Sequence, residues 1–212
     1  MWKFWRGCVG LGAGVLMSCG VAAQEWRLDP PRAFQWLAEV GGNKGGDLMA
    51  NGTYANTGGK WDVYAGDGLQ GGIGLQYAFN DSLATQLSVS YLVDTTQGAN
   101  GDVAFKRTPV ELMLIHNLNE HWRVGGGWHQ SFSSKRINTG VVAFLGTENF
   151  TSIPGAVVQL MYFFKPYKNL KQPGDEINTG LGLRWVTEQF TSQRTSRTYQ
   201  ADHMGVFLSL YF

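Results

Sequence analysis

Eight stretches of alternating large-apolar and small or polar residues, each about as long as a tilted strand needs to cross a bilayer, predict an all-β fold. The architecture they imply is an eight-stranded antiparallel transmembrane β-barrel preceded by a cleavable leader. Two further observations support it. Long polar connections follow the first, third, fifth and seventh stretches, and two of the three other connections are short turns. Residues 1–23 also have the make-up of an export signal.

The leader has a basic start (Lys3, Arg6), an apolar run over residues 9–17, and the small residues Val21-Ala22-Ala23 before Gln24. Cleavage after Ala23 is expected, leaving residues 24–33 as a periplasmic N-terminal segment and 34–212 as the barrel. Leu16-Met17-Ser18-Cys19 also partly matches a lipoprotein processing site, which would instead put a lipid on Cys19. No other apolar run reaches 18 residues, so export without a membrane helix points to the bacterial outer membrane.

Composition agrees with a barrel. Only 16% of residues are charged, 13% are aromatic and 29 are Gly. Removing the leader takes Lys+Arg from 17 to 15 against 16 acids, a net charge of −1 with no basic stripe for nucleic acid. Both cysteines, Cys8 and Cys19, lie in the leader, so the processed chain has no disulfide and no Cys-based metal site.

The strands follow in order, and each carries a period-two pattern that puts alternate side chains on opposite faces. The first covers 34–42, with Phe34, Trp36, Ala38 and Val40 opposed to Gln35, Leu37 and Glu39. Residues 43–67 form a Gly- and Asn-rich loop expected to carry a strand extension above the membrane. Residues 69–93 form the clearest hairpin, turning at Asn80-Asp81-Ser82: Leu69, Ile73, Leu75, Tyr77 and Phe79, then Leu83, Leu87, Val89, Tyr91 and Val93, share the apolar face. Residues 95–102 read as a second long connection. The fourth strand, 103–116, turns Thr108, Val110, Leu112 and Leu114 outward and Glu111 inward, with an irregularity expected at Pro109, which has no N–H to donate.

A tight turn at 117–120 leads to the fifth strand, 121–132. There Trp122, Val124, Trp128 and Phe132 oppose Arg123, His129 and Ser131. Gly125-Gly126-Gly127 lacks the lysine and helix of a phosphate loop, and bending of a curved wall suits it better. Residues 133–149 form a third loop, whose apolar run 141–145 reads as a hairpin. The sixth strand, 150–164, should kink at Pro154-Gly155. After a polar connection, 165–176, the seventh strand covers 177–188, followed by a last polar loop at 189–200. The closing strand is 201–212. Aromatic residues gather near both ends of the apolar bands, as two interfacial girdles require.

The chain resembles the small eight-stranded outer-membrane β-barrel family over residues 34 to 212, through the alternation, the loop order and the final Leu208-Ser209-Leu210-Tyr211-Phe212. The resemblance implies that Leu208, Leu210 and Phe212 form the signal read by the barrel-assembly machinery. It also implies a monomer set in outer-membrane lipid and lipopolysaccharide.

Glu39, Glu111, Arg123 and Arg184 share the inward parity and are expected to pair across the lumen, since an eight-stranded barrel is just wide enough for side chains to fill. His129-x-Ser131 resembles the His-x-Ser pair of the outer-membrane lipid A deacylases, with Glu148 or Glu188 as orienting acid. Those enzymes meet their lipid from outside, whereas both residues here have inward parity. No metal site and no cofactor is expected. The sequence therefore favours a non-enzymatic envelope protein, structural or adhesive, acting through its outer loops. A narrow conduit for a small or hydrophobic solute comes second, and a lipid A deacylase-like hydrolase third.

Overall fold

The computed structural model describes residues 34–53, 58–98, 101–167 and 177–212. The leader, Cys19, residues 24–33 and most of the connection 165–176 lie outside the described residues. In chain order the strands are β1 (Phe34–Gly45), β2 (Leu48–Thr53), β3 (Lys60–Tyr64), β4 (Gly68–Ala78), β5 (Leu83–Gly98), β6 (Gly101–Asn117) and β7 (Trp122–Asn138). They continue with β8 (Glu148–Ile153), β9 (Gly155–Phe163), β10 (Asn178–Val186), β11 (Gln189–Ser192), β12 (Thr198–Gln200) and β13 (His203–Tyr211).

Eight of these form a closed antiparallel ring, β1-β4-β5-β6-β7-β9-β10-β13, with β13 returning to β1. Phe212 seals that last seam by exchanging backbone hydrogen bonds with Trp36. Closure leaves no open edge in the ring, and this is what allows a sheet to sit in lipid.

Outward and inward parity agree with the sequence pattern along the lower, membrane-spanning part of every barrel strand. Leu69 is 71% exposed, Ile73 65% and Met204 61%, while Arg107, Glu111 and Arg184 are 2% or less. Greasy side chains outside and ions inside reverse the order of a water-soluble protein, and lipid is the medium that makes the arrangement favourable. Short turns close one end. Asn80 Oδ1 accepts from the amides of Ser82 and Leu83, and Asn119 Oδ1 from those of His121 and Trp122.

The other end departs from expectation, because strand continues through much of what the sequence reads as loop. β5 and β6 run to Gly98 and from Gly101, so residues 95–98 and 101–102 are paired strand rather than a loose connection. The run 141–145 is not a hairpin; Gly140–Leu145 is a 3-10 turn between β7 and β8. The polar loop 189–200 is the β11–β12 hairpin. Only the extension within 43–67, the β2–β3 hairpin, matches its expectation. The physical reason is that Phe105, Phe150, Phe190 and Tyr199 face inward on these extensions and pack together, which holds the strands together outside the lipid.

Two irregularities matter for the lumen. The strand expected over 150–164 breaks at Pro154. Gly155 then passes so close to Thr187 that an added Cβ would collide with its carbonyl oxygen. The irregularity expected at Pro109 is a bulge two residues away, where Arg107 faces both Ser133 and Ser134.

Candidate functional site

The lumen is filled at three levels. At its middle a chain of six buried groups alternates acid and base: Glu39, Arg184, Glu111, His129, Glu188, Arg107. Arg184 grips Glu39 with both terminal nitrogens, at 2.7 and 3.0 Å, and its Nε donates to Gln159 at 2.8 Å. It also lies 2.9 Å from Glu111 Oε2, a charge contact without hydrogen-bond alignment. His129 follows, with Nδ1 2.9 Å from Glu111 and Nε2 3.3 Å from Glu188. Both ring nitrogens thus face carboxylates, and each would donate with the imidazole doubly protonated. Glu188 is the hub: it accepts from Arg107 (2.9 Å), the Ser131 amide (2.8 Å) and hydroxyl (3.0 Å), and Ser152 (2.6 Å). Phe207 lies flat under Arg184, 4.2 Å from the guanidinium carbon, in a slot left by Gly41 and Gly205.

Towards the end that carries the short turns, Arg123 stands apart from this chain. Its guanidinium carbon lies 4.0 Å from the Tyr167 ring, 4.7 Å from Phe163 and 5.0 Å from Tyr211, and it donates to Gln76 at 2.8 Å. Tyr167 enters the barrel from the connection after β9. Its hydroxyl donates to Gln35 and accepts from Gln76, making a stopper of ring, guanidinium and amides.

At the opposite mouth the β2–β3 hairpin folds over the lumen. Met49, Val63 and Ala65 pack on Phe105, Phe150, Phe190 and Tyr199 to form an apolar cap. Polar contacts pin its rim: Arg136 pairs with Glu148 and donates to the Met49 carbonyl, while the Tyr64 amide donates to Asp94. Burial of Asp94 between β5 and β3 pushes its carboxyl above the usual carboxylate range, and the Tyr64 amide partly opposes the shift.

Of the four inward charges expected to pair, the structure joins Glu39, Glu111 and Arg184 and sets Arg123 in an aromatic cage instead. His129 and Ser131 are brought together, but through Glu188 and not through each other. Glu148, the other suggested orienter, is engaged with Arg136 and Ser192. Sequence reasoning missed Arg107 and the hub role of Glu188. Both continue the inward parity of Glu111 and Arg184, so extending the alternation would have found them. Tyr167 left no such signal, because it sits in a turn. His203 is buried, with Nδ1 2.7 Å from the Ala201 carbonyl. Among the described residues no group of three His, Cys, Asp or Glu side chains is set to hold a metal.

A closed ring of eight antiparallel strands, apolar outside and carrying buried polar side chains inside, defines the class: a small outer-membrane β-barrel. No family model and no curated protein matches the sequence. Among solved structures it is similar to Ail, the attachment invasion locus protein of Yersinia pestis, in complex with the heparin analogue sucrose octasulfate. That likeness has 12% identity and a TM-score of 0.46, and covers 84% of this chain and 98% of that one. It is also similar to the outer membrane protein OprG from Pseudomonas aeruginosa (11% identity, TM-score 0.44, 86% of this chain and 97% of that one). A third likeness is to the outer membrane protein AlkL in DMPC bilayers (13% identity, TM-score 0.35, 99% and 97%). The class rests on the closed ladder and its inside-out polarity, not on these likenesses.

Proposed function

We propose that this chain is a monomeric, non-enzymatic protein of the bacterial outer membrane that works through its outer face, with a lumen closed to solutes. The observation that carries the reading is the filling of the lumen at three levels, by the apolar cap, the chain of alternating charges and the Arg123–Tyr167 stopper. A side-chain-filled interior stiffens a barrel and leaves the projecting strands as the part available to partners. That part offers a firm surface: on the 3-10 turn between β7 and β8, Val141 is 67% and Phe144 83% exposed. Leu208, Leu210 and Phe212 would present the assembly signal during insertion, and lipopolysaccharide would surround the wall.

Planar-bilayer recording tests the closed lumen. The expected trace has no porin-sized steps, and such steps would overturn the proposal. Substituting Val141 and Phe144 by Ser tests the surface role: attachment of expressing cells to a host-protein-coated surface should fall while heat-modifiable gel mobility is kept.

One observation favours a second reading, a sideways passage for a small hydrophobic solute. Ladder pairing of β7 stops at His129–Gly155 and resumes at Lys135–Asn149, so the wall has a seam beside Pro154. A lipid A hydrolase finds less support. Ser131 Oγ donates to Glu188, and neither nitrogen of His129 is left to take a serine proton.

A further inference from the structure

The outer wall carries one arrangement that its own contacts do not explain. Lys106 of β6 and Lys135 of β7 stand directly opposite each other in the ladder, and both point outward. Like charges at such a pair, with Cα atoms ~5 Å apart, repel and weaken the sheet. The outward positions around them hold no carboxylate: Val93 and Asn149 lie to either side, and the Ala104–Ile137 and Thr108–Phe132 pairs lie above and below. Glu148, adjacent along β8, faces inward and is paired with Arg136. Among the described residues neither lysine has an ion pair.

The bulge creates this juxtaposition. Between the Phe132–Thr108 and Lys135–Lys106 pairs, β7 has one residue more than β6, and Ser133 adopts a φ of 50°. That region is uncommon for a residue with a side chain. Ser134 is buried as a result, and Lys135 is exposed. Strict alternation from Phe132 would have turned position 135 into the lumen. An irregular stretch of backbone therefore brings a second lysine out beside the first. The pair lies one step above the outward-facing Phe132, and on the membrane reading an aromatic ring at that strand end marks the depth of the headgroups.

We propose that Lys106 and Lys135 together bind the phosphate of an outer-leaflet lipid headgroup, one anion bridging the two ammonium groups. This rests on the reading of the capped end as the outer side of an outer-membrane barrel. The test uses the full chain in phosphatidylcholine nanodiscs doped with bis-phosphorylated lipid A or with the same lipid stripped of phosphate, and measures retained lipid by mass spectrometry. Wild type should retain the phosphorylated lipid, and K106Q/K135Q should retain roughly twenty-five-fold less, about fivefold for each lysine. Lys60→Gln, on the β2–β3 hairpin, should retain it like wild type. Equal retention by wild type and K106Q/K135Q, with heat-modifiable gel mobility intact, overturns the proposal and leaves the barrel standing. Equal retention of the phosphate-free lipid overturns it too. A chain that enters no disc at all removes the membrane reading and the proposal with it.

Discussion

Strand β6 is built two ways. In its lower half Leu112 and Leu114 point outward and Glu111 and Arg107 point inward; in its upper part Val103 and Phe105 are buried inward and Ala104 and Lys106 face out. The facing never changes, with odd positions inward from Val103 to Ile115; what reverses near Arg107 is the character of the outward set, from Leu112 and Leu114 below to Ala104 and Lys106 above. Along the β9–β8 line the facing itself switches at the Pro154 break: Val158 and Leu160 face out below it, while Phe150, of the same parity, is buried above it. Apolar surface leaves water wherever it finds an apolar neighbour, and the neighbour changes from lipid to other side chains as the strands leave the membrane. On β6 one backbone register thus serves two solvents.

The largest expected effect comes from cutting that chain. Arg184→Met leaves Glu39 and Glu111 buried without their shared cation and should cost about 3–5 kcal/mol. Urea titration of the folded fraction in phosphatidylcholine vesicles measures it, and an unchanged midpoint would show that the charges are not coupled as drawn.

A paired substitution sharpens the contrast between the two halves of β6. Leu112→Arg puts a cation against lipid and should cost about 2–4 kcal/mol, whereas Ala104→Arg, outward above the reversal, should stay within about 0.5 kcal/mol. The same titration reads both. Equal costs would mean that one medium bathes both positions.

The membrane half was legible because lipid imposes a strict rule, and Leu69, Gln70, Ile73 and Gln76 obey it residue by residue. The pairing of Arg184 with Glu39 and Glu111 was legible for the same reason: inward parity in a narrow barrel leaves few places for a charge to go. The outer half was not, because the large apolar residues there face inward, against the rule that lipid imposes below. Phe190 and Tyr199, isolated among Thr, Ser and Gln, read as loop until their rings are seen to share an inward cap with Phe105 and Phe150. The separation of Arg123 from the other charges depended on Tyr167, whose entry into the barrel is a property of a turn and leaves no periodic trace. The outward turn of Lys135 depended on a single extra residue, and alternation alone would have placed it wrongly.

The reversal itself is open to direct measurement. Spin labels placed singly at Ala104, Lys106, Leu112 and Leu114 of the chain in bilayers report which collision partner reaches each site. The labels at 112 and 114 should be quenched preferentially by oxygen, which concentrates in lipid, and the label at 104 by a water-soluble nickel chelate, with the crossover near 106. A uniform preference along β6, of either sign, would contradict the account.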